Sequence, residues 1–468
     1  MERSYFRIAL ALLLSCVTVS LDAATQSPHI LVYAPGKSIT LSLPDEFDIN
    51  IAATGLRRVR FFAQSPDGRI FVTGMYDLAD NTRGSIFILD GWNAKTRTFA
   101  HVTHYLEHLR NPNNLAFWTD PATHQSWLYL PLTDKLIRYK YSAGDNAPTS
   151  PPETLIRFPD YGLNYKYGGW HLTRTVAIAQ VRGATRVFVS AGSSCNYCQE
   201  REVLRAAIVS MDPDGKHPSL VAQGMRNAVA LRSIAALDGA LFATNMGDDH
   251  LGDQLPEDTF FKIDTEPAAL PNYGWPTCYF AQGKPVHDTT PLPSFKDPNV
   301  IAPPPTASRG GQANDSVYGK QSGVAAAGTN LTAGGGHAFA PDPNAALGHA
   351  PQPLKSCEQV PAVYTTFAAH SSPLGFDYFG PADPLLDSSF LVALHGASHP
   401  RIGTGYRVIR FSPADRTPRD FITGFLTVAN GRPIVHGRPC GILRVGPDSF
   451  LLSDDDRGLI YFIHPRAQ

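Results

Sequence analysis

Charge of either sign is scarce in this chain. Asp, Glu, Lys and Arg make up 17% of its 468 residues, and 40 basic against 41 acidic side chains leave a formal net charge of -1. Nucleic acid and anionic membrane both need a concentrated positive field, so neither is expected as the main partner. Long hydrophobic runs are missing too. Past the N-terminus no window approaches the roughly 20 apolar residues of a spanning helix, so no transmembrane helix is expected. Gly and Pro, 39 of each, interrupt helical patterns throughout and weigh against a helical bundle. Disorder is excluded in turn, because 43% hydrophobic and 10% aromatic residues can fill a large core.

What is present begins with a targeting segment. Arg3 and Arg7 precede the apolar run from Ile8 to Val19, and the small residues Ala23 and Ala24 follow it. That order predicts a secretory signal peptide over 1–24 and a periplasmic or secreted mature chain over 25–468. Leu13-Leu14-Ser15-Cys16 loosely resembles a lipoprotein processing site, and anchoring at Cys16 is the less favoured reading. Of the six cysteines, five then remain in a compartment where disulfides persist. At least one of them is unpaired or paired outside the chain.

Short β-rich runs recur along the whole sequence, among them RIFVTGM, SIFILDG, SWLYLPL, RVFVSAG, ALFATNM, SFLLSDD and LIYFIHP, each next to a turn signal. Polar residues open the strand groups: Arg57 or Arg58, Asn113, His171, Arg226, His370 and Arg438. The first four lie about 55 to 58 residues apart, and the longer gap from Arg226 to His370 is one period plus an insertion. Six such units predict an all-β fold, a single six-bladed β-propeller with a long loop insertion. A double-sheet sandwich with long loops is the alternative. The insertion is placed at about 282–355, where Gly, Ala, Pro and Ser dominate. Cys278 and Cys357 sit at its ends, and a bridge between them would constrain the unfolded chain, so they are paired first.

Four stretches are chemically loaded. Trp170-His171-Leu172-Thr173-Arg174 opens the third unit, and His171 taken alone fits an ordinary polar histidine as well as a base. Arg226-Asn227 opens the fourth, where a turn with a solvated arginine is the plain alternative. Asn245 to Asp258 is dense in carboxylates, which suits a hard cation such as Ca²⁺; the spacing is not that of an EF-hand, and a solvated acidic loop fits equally. Cys195-Asn196-Tyr197-Cys198 lacks the following His of haem attachment and a second CxxC for zinc, so a local disulfide is expected. In a propeller the unit openings converge at one end of the axis. His171, Arg226, Asn227, the Gly247-Asp248 loop and Arg438 would then share one cleft.

These stretches also carry a resemblance. HLTRTV at His171, AGSSCNYC at Ala191, GMRNAVAL at Gly224, NMGDDHLGDQLPEDTF at Asn245, NYGWPTCYF at Asn272, HSSPLGFDY at His370, GYRVIRF at Gly405 and HGRPCGI at His436 follow in order. In them the chain resembles the soluble quinoprotein sugar dehydrogenases, most closely the L-sorbosone dehydrogenase-like branch. Those enzymes bind pyrroloquinoline quinone (PQQ) and Ca²⁺ on a six-bladed propeller. The resemblance implies His171 as the general base and Arg226 and Asn227 as hydrogen-bond donors to the quinone oxygens. It implies backbone carbonyls of Gly247 and Asp248 on a polarising Ca²⁺, and Arg438 with Arg401 against the cofactor's carboxylates. Asn113 and Trp170 fall near the substrate, and Glu257 and Asp258 match structural Ca²⁺ ligands. The implied enzyme oxidises an aldose or related, sorbosone-like sugar and passes electrons to an external quinone or cytochrome. Two departures stand out. Trp170 replaces the Asp that precedes the base in the glucose branch, and LHGASHPRIGTG from Leu394 contains no Lys, leaving His395, Ser398, His399 or Arg401 in its place. A Ca²⁺-dependent lactonase-like hydrolase and a non-enzymatic binding propeller are the competing readings.

Overall fold

The computed structural model describes residues 25–159, 170–293 and 344–467. The expected signal peptide with Cys16 and the central part of the expected insertion lie outside the described residues. Six four-stranded antiparallel sheets follow one another along the chain. Blade one comprises Val59–Gln64, Ile70–Gly74, Gly84–Asn93 and Thr98–Leu109, and blade two Ala116–Thr119, Ser126–Pro131, Lys135–Tyr141 and Glu153–Arg157. Blade three comprises Arg174–Val181, Ala184–Ala191, Ala207–Met211 and Ser219–Gln223, and blade four Ala230–Ile234, Ala240–Asn245, Asp258–Ile263 and Thr365–Phe367. Blade five comprises Pro373–Phe379, Ser389–Leu394, Arg407–Phe411 and Arg419–Ile422. Blade six takes Pro439–Gly446, Ser449–Asp454 and Leu459–Pro465 from the C-terminus, and its outermost strand, Phe47–Ala53, from the N-terminus. Ile49 opposite Ile463 and Ile51 opposite Tyr461 set that closing register.

The chain is therefore a closed six-bladed propeller. Its apolar interior is divided among six blade-to-blade interfaces rather than gathered at the centre. Phe71 and Ile88 of blade one pack on Leu128 and Leu130 of blade two, Tyr129 on Val189 of blade three, and Phe188 on Leu241 and Phe261 of blade four. Phe242 and Phe260 meet Phe376 and Phe390 of blade five, Leu391 meets Leu452 of blade six, and Leu451 and Ile460 meet Val72 of blade one. Middle strands such as Ile70–Gly74 and Ser389–Leu394 are buried along their whole length. Both faces of such a strand are covered, so a continuous apolar run replaces the alternation of a half-exposed sheet.

A hydroxyl recurs at one place in the second strands. Thr73 donates to the Asn113 carbonyl at 2.7 Å, Ser190 to Ala228 at 2.7 Å, Thr244 to Leu374 at 3.1 Å, and Ser453 to Arg60. Each bond satisfies a carbonyl on, or just before, the innermost strand of the next blade. In sequence these are the last residues of FVT, FVS, FAT and LLS. Inner strands crowd the axis, and a Cβ on Gly441 would sit 2.2 Å from the Arg60 carbonyl, so only glycine fits there.

The insertion departs from blade four between its third and fourth strands. It leaves after Ile263, earlier than about 282, and its described part includes the hairpin Cys278–Ala281 and Lys284–His287. Tyr273, Phe280, Cys357 and Val360 fold back on the interface of blades three and four, which is why this stretch reads as ordinary core in sequence. Cys278 is bonded to Cys357 and Cys195 to Cys198, leaving Cys440 free and buried. Closing a loop with a sequence separation of 79 is worth about 4.5 kcal/mol in the chain-entropy model, and native bridges deliver somewhat less. The double variant Cys278→Ser/Cys357→Ser should lose about 3–4 kcal/mol of unfolding free energy in chemical denaturation, with the blade strands retained by circular dichroism.

Candidate active site

His171 stands on the loop that opens blade three, with a left-handed backbone (φ 48°) that costs energy for a residue carrying a Cβ. Its Nδ1 lies 3.0 Å from the Ser193 carbonyl and 2.9 Å from the Ser193 hydroxyl. That hydroxyl donates to the Cys195 carbonyl at 2.6 Å. A carbonyl only accepts, so Nδ1 carries the ring proton and Nε2 keeps its lone pair. Burial first, then the Arg226 charge, hold the imidazole well below its usual pKa of 6.5, and the ring is neutral at pH 7. A Cβ on Gly192 would lie 2.5 Å from the His171 Cβ and 2.6 Å from Asn227 Oδ1. Glycine at that point lets the base and the Asn227 amide approach one another. The Trp170 ring is centred 6.0 Å from the imidazole, edge to face.

Arg226 is buried at the opening of blade four. Nε donates to the Asn196 carbonyl at 2.9 Å, and Nη2 to Asn196 Oδ1 at 2.6 Å and Asp249 Oδ2 at 3.3 Å. Nη1 donates to the Gly247 carbonyl at 2.5 Å. Of the five guanidinium N–H groups, one on Nη1 has no acceptor among the described residues. Among the described residues the Asn227 amide nitrogen reaches only the weak acceptor Met246 Sδ, at 3.5 Å. Asp249 lies between Arg226 and His370, whose Nδ1 is 3.2 Å from Asp249 Oδ1 and whose Nε2 is 2.8 Å from the Gly252 carbonyl. Both neighbours of that ring can only accept, so His370 is an imidazolium. Burial alone would lower its pKa, but the bond to Asp249, the Gly252 carbonyl and the Asp249 charge raise it to about 9. Asp249 would be raised by its surroundings, yet His370 and Arg226 outweigh that and pull it down to about 2.

Of the four positions assigned to metal, Gly247, Asp248 and Glu257 line one small cavity, and Asp258 is not among its lining residues. The Gly247 carbonyl is taken by Arg226. Asp258 accepts Gly247 N–H at 2.8 Å and Ser372 N–H at 2.7 Å, tying the openings of blades four and five, and burial raises its pKa to about 7. Glu257 accepts Gly283 N–H in the hairpin turn at 2.8 Å. Asp248 is buried with Oδ1 2.8 Å from His250 Nδ1, while His250 Nε2 is 2.7 Å from Asp288 Oδ2 and its ring stacks on Tyr197 at 3.9 Å. The cavity that Gly247, Asp248 and Glu257 line with Asn245 and Thr259 is about 20 Å³, room for one water or ion. Among the described residues the tight group of ligand atoms is Cys195, Cys198 and Glu200, and a disulfide removes both thiols. A larger cavity of about 620 Å³, between Arg182, Ser219 and Leu270, belongs to the outer edge of blades three and four and touches none of these residues.

Arg438 opens blade six. Its guanidinium donates to the Gly396 and Ala397 carbonyls at 3.0 and 3.1 Å and to the Tyr406 hydroxyl at 2.8 Å. Its Nη1 is 3.4 Å from His395 Nδ1, and His395 Nε2 is 2.8 Å from Asp455 Oδ1. His395 is thus neutral with its proton on Nε2, and Asp455, although buried, is held far below the usual carboxylate range by His395, Arg60 and Arg58. Arg60 binds Asp455 at 3.0 Å and Asn113 Oδ1 at 2.9 and 3.1 Å. Asn113 Nδ2 donates to Thr175 Oγ1 at 2.8 Å and the Val229 carbonyl at 3.1 Å. Asn113 was expected at the substrate; it is fully buried with both ends of its side-chain amide occupied by neighbouring blades. Arg401 is exposed on the turn Pro400–Ile402, away from that buried chain of bonds.

Sequence reading missed Ser193, Asn196, Asp249, Arg60 and Asp455, and marked His370 without a role. The signal for most of them was adjacency: Ser193 precedes the CxxC and Asn196 lies within it, Asp249 ends an acidic doublet and Asp455 is the centre of an acidic triplet. Two measurements check this geometry. Asn113→Ala should cost about 3 kcal/mol of stability by denaturation, since it removes the buried oxygen that accepts Arg60 Nε and Nη2 and the amide that joins Thr175 and Val229. His370 has a folded pKa above its unfolded value, so its contribution is complete below about pH 6.5 and lost as pH rises through about 9. The melting temperature should fall across that window, and His370→Gln should flatten the fall.

No protein-family model matches the chain, and comparison with curated protein sequences finds no match either. Among solved structures the chain is similar to the holo form of the pyranose dehydrogenase PQQ domain from Coprinopsis cinerea. The identity is 16%, with 92% of this chain and 97% of that one covered, at a TM-score of 0.58. A calcium structure of a Trichoderma reesei protein of Carbohydrate-Active Enzymes Family AA12 shares 16% identity over 91% of this chain and 96% of its own, at 0.56. The apo-form of the soluble aldose sugar dehydrogenase from Escherichia coli shares 12% over 90% and 100%, at 0.50. At such identities the likeness is one of fold, and it runs along nearly the whole of both chains.

Proposed function

We propose that this propeller is an exported, PQQ- and Ca²⁺-dependent dehydrogenase that oxidises an aldose or related sugar, sorbosone-like in class, and delivers electrons to an external acceptor. The carrying observation is His171, a neutral imidazole with Nδ1 locked on Ser193 and Nε2 unprotonated, beside the buried cation Arg226. Two disulfides in the fold suit an oxidising compartment. The fold resemblance to a pyranose dehydrogenase PQQ domain and an aldose sugar dehydrogenase supports the same reading.

The residues fit an anionic quinone. Arg438 is 6% exposed, and among the described residues its side chain finds only carbonyls, a phenol and a neutral histidine as acceptors. A buried guanidinium without a carboxylate is costly, and a ligand carboxylate would offset that cost. Arg226 has one N–H to spare and Asn227 a nearly unused amide. For Ca²⁺ the fit lies with Asp248, a buried carboxylate that lines the small cavity. Glu257 and Asp258 spend oxygens on backbone N–H groups and are assigned no ligand role.

When bound, PQQ supplies a two-electron acceptor polarised by its metal. His171 Nε2 takes the proton of the sugar hydroxyl, and its Nδ1–H, fixed on a carbonyl, stabilises the imidazolium that forms. Arg226 and Asn227 present donors where negative charge develops. Trp170 walls the base with an apolar ring.

Incubation of the protein with PQQ and Ca²⁺, followed by a panel of aldoses, tests this by the quinone spectrum. The absence of both bound quinone and reduction would overturn it, and lactone hydrolysis without PQQ would favour a hydrolase. His171→Ala should lower kcat by about 10²–10⁴-fold while quinone still binds. Because His171 titrates below 6.5, activity should hold through neutrality and fall only on the acid side.

A further inference from the structure

We propose that Asn196, held between the two half-cystines of the Cys195–Cys198 loop, is a positioning residue that fixes the direction of the Arg226 guanidinium at the site; this rests on the dehydrogenase reading given above. Asn196 grips one edge of the guanidinium twice, its carbonyl accepting from Nε at 2.9 Å and its side-chain Oδ1 from Nη2 at 2.6 Å. The same Oδ1 accepts the Asp249 N–H at 3.0 Å, so the amide also places the carboxylate that shares Nη2. With Nε and Nη2 so held, only Nη1 faces Gly247 and the remaining free direction.

The loop is built to hold that amide still. Cys195 and Cys198 are buried with Ala206 and Trp275, and the Trp275 indole N–H binds the Asn196 carbonyl at 3.3 Å from the side of the insertion. Tyr197 is pinned by its hydroxyl on the Thr290 carbonyl at 2.7 Å and by the stacked His250 ring. Three residues before Asn196, Ser193 donates its backbone N–H to the Arg226 carbonyl at 2.7 Å and holds His171 Nδ1. One six-residue stretch, Ser193 to Cys198, therefore carries the base and the arginine on a common frame. A guanidinium released from this grip would rotate onto Asp249, with which it already forms an ion pair at 3.3 Å, and leave His171. The charged groups felt by the His171 ring are Arg226, Asp249 and Arg205, so its titration reports where Arg226 points.

The test compares Asn196→Ala with Asn196→Asp, which keeps an oxygen at the same reach. In the protein without added PQQ, the His171 pKa is read by NMR and the melting temperature by calorimetry. Asn196→Ala should raise the His171 pKa with little change in melting temperature. With PQQ, Ca²⁺ and sugar, Asn196→Ala should lower kcat about 10- to 100-fold and move KM for the sugar by less than about three-fold, and Asn196→Asp should restore part of the lost kcat. An unmoved His171 pKa in Asn196→Ala overturns the proposal. If the wild type binds no quinone, the dehydrogenase reading falls while the NMR titration still decides the role of Asn196.

Discussion

A ring of blades has no common apolar centre, so the polar groups that line its axis must satisfy one another. In this chain they do so through a buried series of bonds that touches every blade. The Val229 carbonyl of blade four receives Thr175 of blade three and Asn113 from the opening of blade two; Asn113 binds Arg60 of blade one, Arg60 binds Asp455 beside blade six, and Asp455 binds His395 at the end of a blade-five strand. Isolated charges at these depths would cost several kcal/mol each. Ionised Asp455 is tolerated only because Arg60 and the His395 N–H face it together. The directional bonds fix how each blade is turned about the axis, which apolar faces alone leave loose.

The mouth of the channel is arranged on this support. Arg226 and Arg438 lie on opposite sides in the chain order and are balanced differently. Arg226 has Asp249, itself shared with the His370 imidazolium, whereas among the described residues the Arg438 side chain has only neutral acceptors. His171 is kept neutral by burial and by the nearby guanidinium. The result is a base with a lone pair at neutral pH, flanked by positive charge. That combination favours removing a proton and accumulating negative charge.

The insertion adds to the site without belonging to a blade. Its Trp275 supports the Asn196 carbonyl, Asp288 fixes His250, and Thr290 anchors Tyr197. The Cys278–Cys357 bridge sets where the long excursion leaves and rejoins the body. A segment that composition marks as a surface loop thus holds, at its base, the frame that carries the catalytic candidates.

Periodicity carried most of the fold: polar openers recurring at near-constant spacing, β-rich runs between turns, and half-cystines at the two ends of a Gly- and Pro-rich stretch determined a six-bladed ring with one bridged insertion. The recurring hydroxyl after FV, FA and LL was also legible, although its use as a latch was not. His171, Arg226, Asn227 and Arg438 were legible as residues that open units, since each stands just before an innermost strand. Tertiary structure alone decided the pairings. Asn113 became a buried joint rather than a substrate contact, Asp258 a tie between two loops, and Ser193 the partner of the base, because a hydrogen bond depends on distance and direction between residues tens to hundreds of positions apart. Sequence order sets which side chains reach the axis; only the closed ring determines which donor meets which acceptor there.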